Sequence, residues 1–324
     1  MRVLVTGAGG FVGGHLVAHL RSERPDVEIH GVVLPQGGIT WGTGAGMSVL
    51  EADLNDPAAA AGVVAAVLPE RIVHLAGQSS PHLSWLDPGG TLRTNVMGIV
   101  HVLDAVRSRG LRPDVLVVGS AEEYGPVRGE DLPLRETTPL RPASPYAVSK
   151  VAQSALAVLY GPAGGMRVVT TRTFHHTGPG RGEAFAESSF ARQIAEIEAG
   201  RRAPVIRVGN LDAVRDFSDV RDVVRAYWLL LEKGEPGAVY NVCTGHGRSI
   251  RELLDILLAC SSARVDVQID PERLRPSDTP AQVGDPSRLL AATGWTPRIP
   301  IEQTLGDLLD DWRERIRVAK SLTR

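Results

Sequence analysis

Residues 2–13 read RVLVTGAGGFVG, an apolar run that ends in a cluster of glycines and continues into a helical pattern over Phe11 to Arg21. Gly7, Gly10 and Gly13 follow the apolar run directly and open the predicted helix. Glycines at this spacing permit a tight turn and let the backbone approach a pyrophosphate, while the helix N-terminus offers N–H donors and partial positive charge. The stretch therefore predicts a dinucleotide-binding turn, with an ordinary strand-to-helix turn as the alternative.

Short β-branched runs alternate with longer helical stretches through the first half of the chain. Strands are predicted at RVLVT (2–6), IHGVVL (29–34), RIVHLAG (71–77), DVLVVGS (114–120) and RVVTTRTF (167–174), and helices at 11–21, 91–109 and 144–160. Continuous apolar strands separated by helices are typical of a parallel sheet that is buried on both faces. The predicted fold is an α/β, doubly wound parallel sheet of the Rossmann type with a smaller mixed α/β substrate-binding lid.

The pattern loosens from about residue 176. Helices are predicted at 187–199 and 250–260, with a Gly/Asn/Asp-rich segment, VGNLDAVRDFSD, between them, and the earlier stretch PQGGITWGTGAG (35–46) is predicted to be a loop. We expect the dinucleotide-binding domain to comprise residues 1–175 and about 216–245. The smaller substrate-binding lid is expected to comprise 176–215 and about 246–324.

Composition narrows the class of partner. The 324 residues carry a formal net charge of −2 with a pI of about 6.5, which is not the electrostatic pattern of a protein that binds nucleic acid or an anionic membrane. Cys243 and Cys260 are the two cysteines, so neither a disulfide framework nor a zinc site is predicted. The N-terminal stretch lacks the pattern of a signal peptide or a membrane span. A cytoplasmic protein with a small-molecule partner is expected.

The stretch SPYAVSK (144–150) carries a catalytic pattern. Tyr146 and Lys150 lie four residues apart, on one face of a predicted helix, where an ammonium group would stabilise the phenolate and lower the tyrosine pKa. Such a tyrosine exchanges a proton with an alcohol near neutral pH. Lys150, Lys233 and Lys320 are the three lysines among 35 basic residues, so a lysine at this spacing is notable. A surface helix is the alternative.

Polar residues also follow the predicted strand at 114–120, in the stretch VVGSAEEYG (117–125). Ser120 and Glu122 lie where a buried strand ends, which often marks the floor of an active site. Glu122 is expected to bind substrate hydroxyls, and the alternatives are removal of a proton from carbon or an inert strand-end carboxylate. Asp53 could accept a hydrogen bond from an adenine amino group, or be an exposed turn residue. The segment GVVLPQGG offers no carboxylate to repel a 2′-phosphate, so NADP is favoured over NAD.

The motifs TGAGGFVG, HLAG and YAVSK, with the strand-end serine, resemble those of the extended short-chain dehydrogenase/reductase family that acts on nucleotide sugars. The resemblance implies that Ser120 polarises a sugar carbonyl, that Tyr146 donates a proton and that Lys150 holds the nicotinamide ribose. It also implies further cofactor-binding residues, namely Phe11, Val12, Leu54, Leu75, Ala76, Gln78, Asn95, Thr173 and His176. NAD(P) is the implied cofactor, and Asn95 is implied to support the active-site helix.

The same resemblance implies a nucleotide-diphosphate sugar as substrate. Arg215 and Arg275 match positions that hold the diphosphate or its ribose, and Asp278 could bind ribose or base. Ser80, Asn210 and Ser218 are weaker substrate-binding candidates. In the stretch RTFHHTGPG, His175 replaces a family asparagine whose amide contacts the substrate or its phosphates, so His175 is a further substrate-binding candidate, and its charge is expected to titrate near pH 6.5.

The motifs are most similar to those of enzymes that reduce the 4-keto group of GDP-4-dehydro-6-deoxy-D-mannose to GDP-D-rhamnose, with GDP-mannose 4,6-dehydratases as near relatives. Ala121 takes the place of the acid that dehydration needs, because a methyl group cannot protonate a departing hydroxyl. A dehydratase or 4-epimerase with tightly bound NAD(P) stays open as an alternative, as does a non-catalytic redox sensor. A homodimer or a dimer of dimers is implied by the resemblance.

Overall fold

A computed structural model describes residues 1–35, 46–273 and 279–321. The strands in chain order are β1 (Arg2–Thr6), β2 (Glu28–Val33), β3 (Ser48–Glu51), β4 (Arg71–His74), β5 (Asp114–Ser120), β6 (Arg167–Thr173), β7 (His175–Thr177), β8 (Val205–Val208), β9 (Val214–Asp219), β10 (Val239–Val242), β11 (Gly247–Ser249), β12 (Asp266–Ile269) and β13 (Ala281–Gln282). The α-helices are α1 (Phe11–Glu23), α2 (Pro57–Val67), α3 (Pro81–Leu86), α4 (Pro88–Leu92), α5 (Gly98–Ser108), α6 (Pro145–Gly164), α7 (Ala186–Glu198), α8 (Val220–Lys233), α9 (Ile250–Ala259), α10 (Ser287–Thr293) and α11 (Ile301–Ser321).

The central sheet has seven parallel strands in the order β10-β6-β5-β4-β1-β2-β3. Successive side chains of a strand point to opposite faces, so Val3 and Val5 pack in the core formed with α1 and α8, while Leu4 packs in the core formed with α2 and α5. Both faces of the sheet are therefore covered by helices. This arrangement confirms the predicted doubly wound parallel sheet of the Rossmann type.

The second half of the chain builds a smaller layer beside the carboxyl ends of these strands. Strands β7, β11 and β13 all pair with β9, and β8 pairs with β12. Helices α7, α9 and α11 enclose a separate core that includes Phe190, Phe217, Leu254 and Leu308. Within the described residues, no helix combines the length and apolar character needed to cross a membrane.

The predicted helices are present with small shifts at their ends, apart from one irregularity. The helix expected over 91–109 is divided into α4, a π-helical turn at Arg93–Met97 and α5. A π turn adds one residue to the helix and rotates the side chains that follow, and such turns are frequent at functional sites. Here the turn carries Asn95. Most of the predicted loop at 35–46 lies outside the described residues.

Candidate functional site

A cleft of about 690 Å³ opens at the carboxyl ends of β1, β4, β5 and β6, where ligands bind in open parallel sheets. Predicted residues that border the cleft are Gly7, Gly10, Phe11, Val12, Gly13, Asp53, Leu54, Leu75, Ala76, Gln78, Ser120, Glu122, Tyr146, Thr173, His175 and His176. The glycine turn lies at one end of this set and the strand-end serine at the other. The fold thus joins the predicted cofactor and catalytic motifs in one groove.

The glycine turn has the shape that a pyrophosphate requires. Gly7 has a φ of 69°, and a Cβ atom there would lie 2.8 Å from the backbone N of Ala76. A Cβ atom on Gly13 would lie 2.3 Å from the carbonyl oxygen of Gly7. Gly10 caps α1 without a side-chain hydrogen bond, so no side chain of the cap occupies the N–H groups of the first turn. These residues fit the diphosphate of a dinucleotide.

The wall of the cleft next to this turn is held by Asn95. Its Oδ1 accepts from the backbone N of Gln78 at 2.7 Å, and its Nδ2 donates to the carbonyl of Gln78 and to Ser149 Oγ at 2.8 Å. Asn95 is fully buried, so it positions the Gln78 segment against α6 rather than bordering the cleft itself. Asp53 is exposed at the cleft rim, and its Oδ1 accepts from the backbone N of Asn55.

Ser120 and Tyr146 meet at the other end of the cleft. The strand β5 ends at Ser120, and Ser144 caps α6 so that Tyr146 lies in its first turn. The two side chains hydrogen-bond to each other. Burial raises the pKa of Tyr146 to about 12, and the bond with Ser120 and the nearby Arg181 oppose that increase. The phenol therefore keeps its proton across the neutral range, as a proton donor must.

The expectation that Lys150 lowers the pKa of Tyr146 is wrong for this structure. The Nζ of Lys150 donates to the carbonyl of Val118 at 2.9 Å and to Gln153 Oε1 at 3.0 Å, and burial of the phenol dominates the pKa of Tyr146. Burial also lowers the pKa of Lys150 to about 8, while the negative charge of Glu123 opposes this decrease. Lys150 is thus a buried cation held beneath the strand end rather than a direct partner of the phenol.

The two adjacent glutamates have different environments. Glu123 is 1% exposed, and its Oε1 accepts from the backbone N of Ser120 at 2.9 Å while its Oε2 accepts from Arg172 Nε at 3.3 Å. Burial raises the pKa of Glu123, and the Arg172 pair opposes that effect. Glu122 instead borders the cleft next to Ala121. Of the two, Glu122 is therefore the residue at the cleft, and Glu123 fixes the turn behind it.

His175 does not titrate near pH 6.5, so that expectation is also wrong. Its ring borders the cleft and lies 5.3 Å from the ring of Phe217. Burial lowers the pKa of His175 to about 3, and the positive charge of Arg215 acts in the same direction. The imidazole is neutral at physiological pH, so it presents one donor and one acceptor rather than a charge. Its Nδ1 is buried and has no partner among the described residues.

The buried residue His74 makes the stability of the folded protein depend on pH. His74 ends β4 with 1% exposure and shares a 2.9 Å hydrogen bond with Thr6 Oγ1. Burial lowers its pKa to about 3, with Lys150 adding to the decrease. The unfolded chain therefore takes up a proton below pH ~6.5 that the folded chain does not. The folded state therefore becomes less stable as the pH falls from about 6.5 toward 3. His74 lowers the free energy of unfolding by about 2 kcal/mol at pH 5 relative to pH 7.

Urea unfolding at pH 7 and pH 5 checks this prediction. The difference between the two free energies of unfolding should be smaller in His74→Gln than in the unmodified protein by about 2 kcal/mol. The exposed His82 provides the control, because His82→Gln should leave the difference unchanged. An equal pH-dependent loss in the two variants would contradict the assignment to His74.

Four other predicted substrate residues do not line the described cleft, although Arg215 and Ser218 lie on the strand that pairs with β7. Ser80 caps α3, where its Oγ accepts from the backbone N of Leu83, and Ser218 is 2% exposed in β9. Asn210 Oδ1 accepts from the backbone N of Asp212. Arg215 Nη1 donates to the carbonyls of Val214 and Thr279. None of these four side chains borders the cleft in the part of the chain that the structure describes. Arg275 and Asp278 lie outside the described residues.

Sequence reasoning missed Arg181, Phe185 and Gln282, which also border the cleft. The guanidinium of Arg181 stacks over the ring of Phe185 at 3.3 Å and lies 5.0 Å from the ring of Phe11, the first residue of α1. Its Nε lies 3.7 Å from Glu187 Oε1. The signal for Arg181 was an arginine directly after the quoted motif RTFHHTGPG. No local pattern pointed to Gln282.

Three comparisons place this site among known proteins. The chain is 38% identical over 316 residues to GDP-6-deoxy-D-mannose reductase of Pseudomonas aeruginosa, covering 98% of each chain. It is 29% identical to GDP-mannose 4,6-dehydratase of Vibrio cholerae, covering 83% of this chain and 78% of that protein. A solved structure of RMD from P. aeruginosa complexed with NADPH matches with a TM-score of 0.85 and 37% identity, covering 97% of this chain and 99% of that one. Because the family model described as GDP-mannose 4,6 dehydratase matches residues 4–308, the chain belongs to that family of extended short-chain dehydrogenases/reductases.

Proposed function

We propose that this protein catalyses the NAD(P)H-dependent reduction of the 4-keto group of GDP-4-dehydro-6-deoxy-D-mannose to GDP-D-rhamnose. The similarity to GDP-6-deoxy-D-mannose reductase over nearly the whole of both chains supports the substrate. The cleft supports the reaction, since it joins a dinucleotide turn to a serine and a tyrosine at the strand ends. The enzyme is then an NAD(P)-dependent nucleotide-sugar oxidoreductase.

In this proposal each catalytic side chain has a separate task. The hydride for the carbonyl carbon would come from NAD(P)H when it is bound. Ser120 donates a hydrogen bond to the carbonyl oxygen, and Tyr146 gives that oxygen its proton. The high pKa of Tyr146 ensures that the proton is present before the reaction. Lys150, buried below the strand end, would hold the nicotinamide ribose and supply positive charge.

The remaining predicted cofactor residues would line the path of the dinucleotide. Gly7, Gly10 and Gly13 leave room for the pyrophosphate, and Arg181 adds a buried positive charge beside the first turn of α1. Asp53 at the rim would accept from the adenine amino group. We propose NADPH as the preferred cofactor because the end of β2 offers no carboxylate in the part of the chain that is described. The NADPH complex of the RMD structure is consistent with this preference.

The presence of Ala121 next to Glu122 is the observation that favours reduction over dehydration. Ala121 borders the cleft between Ser120 and Glu122 and is 2% exposed, and its carbonyl accepts a hydrogen bond from Gln282. Water loss from the sugar needs a base for one carbon and an acid for the departing hydroxyl. Glu122 could provide the base, but Ala121 has no proton to give. Dehydration stays the second candidate because the matching family model is named for that reaction.

We also propose a homodimer or dimer of dimers formed through α5 and α6. The exposed apolar side chains Met97, Val148 and Leu159 lie on or next to these helices and support such a contact. Light scattering would measure the assembly. The predicted division into a dinucleotide domain (1–175 and about 216–245) and a nucleotide-sugar domain (176–215 and about 246–324) remains part of the proposal. A cytoplasmic location is proposed from the two free cysteines.

The stoichiometry of cofactor use tests the proposed reaction. Purified protein given the keto sugar and NADPH should oxidise one NADPH for each sugar reduced, because the hydride leaves with the product. A dehydratase or epimerase would return the hydride to the same sugar and show no net oxidation. The matched control replaces the keto sugar with GDP-mannose, which should leave NADPH unchanged. Turnover of the keto sugar without loss of NADPH would overturn the proposal.

A further inference from the structure

Gln282 lies at the catalytic end of the cleft but belongs to a distant part of the chain. It ends β13, which pairs in parallel with β9 so that Gln282 lies opposite Arg215. Gln282 borders the cleft together with Ala121 and Glu122, and it is 3% exposed. A polar side chain with this burial needs hydrogen-bond partners for both ends of its amide.

The orientation of this amide is fixed by its neighbour. The Nε2 of Gln282 lies 3.0 Å from the carbonyl oxygen of Ala121. A carbonyl oxygen can only accept, so the amide nitrogen must face Ala121 and the amide oxygen must point the other way. That oxygen, Oε1, is buried and has no partner among the residues the structure describes. A buried acceptor without a donor is unfavourable, which suggests that a bound ligand supplies the donor.

The need for a hydrogen-bond donor limits which chemical groups of a ligand could contact Gln282. A diphosphate has acceptor oxygens alone, so it cannot satisfy Oε1 of Gln282. The hydroxyl groups of a hexose can donate, and they can also accept. His175, whose Nδ1 is buried without a described partner, borders the same cleft. The two side chains therefore present polar atoms suited to sugar hydroxyls beside Ser120 and Tyr146.

We propose that Gln282 is a specificity-determining residue that accepts a hydrogen bond from a hydroxyl group of the hexosyl part of a nucleoside-diphosphate sugar. This inference rests on the proposed function and adds to it the residue that distinguishes the sugar. The bond to Ala121 ties Gln282 to the turn that carries Ser120. The sugar hydroxyl that donates to Gln282 should therefore lie near the reacting carbonyl. A site built to bond a hydroxyl discriminates strongly against an analogue that lacks it.

Calorimetric titration tests the proposal without requiring turnover. Gln282→Leu should weaken binding of GDP-mannose about tenfold, the effect of losing one well-placed hydrogen bond, while binding of GDP and of NADPH changes less than about twofold. Gln303→Leu, on the exposed face of α11, is the matched control and should change none of the three affinities. Gln282→Met provides a second apolar variant if the leucine variant does not fold.

GDP-mannose analogues that each lack one hydroxyl complete the experiment. One analogue should bind the unmodified protein about tenfold more weakly than GDP-mannose binds it. The Gln282 variant should bind that analogue and GDP-mannose with equal affinity. Unchanged binding of GDP-mannose by both Gln282 variants would overturn the inference, as would a loss for NADPH instead. If the unmodified protein itself binds GDP-mannose no better than GDP, the proposed function fails as well, so the two failures are distinguishable.

Discussion

Replacing Tyr146 with phenylalanine is expected to lower turnover of the keto sugar by about 10²-fold or more, the usual weight of a general acid, while the affinity for NADPH changes little. Phenylalanine keeps the ring that packs at the start of α6, where Tyr146 is 7% exposed. It removes the hydroxyl that bonds to Ser120 and holds the proton. Turnover would be followed by NADPH absorbance and cofactor affinity by fluorescence titration.

The same helix offers a matched control for this experiment. The hydroxyl of Tyr160 donates to Asp104 Oδ1 at 3.0 Å and does not border the cleft. Tyr160→Phe should therefore leave both turnover and NADPH affinity close to those of the unmodified protein. If Tyr146→Phe turned over the keto sugar as fast as Tyr160→Phe does, the assignment of Tyr146 as proton donor would be contradicted.

The second large effect is expected at Gly13. An alanine Cβ there would lie 2.3 Å from the Gly7 carbonyl oxygen and 2.7 Å from Ala8 Cα, which are backbone atoms that cannot rotate away. The helix α1 must then shift from the turn, and its N–H groups no longer face the pyrophosphate. Strain of about 1–3 kcal/mol corresponds to a loss of roughly 5- to 150-fold in NADPH affinity.

Gly62 in α2 allows the same substitution where space is open. No atom lies within 4 Å of a Cβ placed there. Gly62→Ala should keep NADPH affinity and raise the free energy of unfolding by about 0.4–1 kcal/mol, because alanine reduces the freedom of the unfolded chain. Fluorescence titration of NADPH compares the two variants. NADPH binding by Gly13→Ala that equals binding by Gly62→Ala would contradict the close contact of helix and turn.

Local sequence patterns predicted the parts of the site that are themselves local. The glycines at 7, 10 and 13 follow an apolar strand, and only such a turn accommodates the close approach between α1 and the residues before it. Tyr146 was predicted from its spacing to Lys150 on one face of a helix, and Ser120 was predicted from its place at the end of a buried strand. The parallel sheet follows from the apolar runs of its strands.

Other properties depend on contacts between distant segments. Gln282 donates a hydrogen bond to Ala121, which lies 161 residues earlier in the sequence, and no local sequence pattern predicts such a contact. The π turn around Asn95 has no sequence signal, because its extra residue leaves the local pattern helical. The pKa values of Tyr146 and His175 were misjudged for one reason, since burial in the folded cleft has the largest effect on both groups and a local sequence pattern does not show it. The roles of Arg275 and Asp278 stay predictions.

The central claim is that the protein reduces a keto sugar at the expense of NADPH, with Ser120 and Tyr146 polarising and protonating the carbonyl, and that Ala121 prevents water loss. Mass spectrometry of the nucleotide sugar after incubation with the purified protein tests this claim most directly. With the keto sugar and NADPH, we expect a product that has gained two hydrogen atoms. With GDP-mannose and NADP⁺, we expect the starting mass alone. Efficient loss of water from GDP-mannose would contradict the account and assign Glu122 the role of catalytic base.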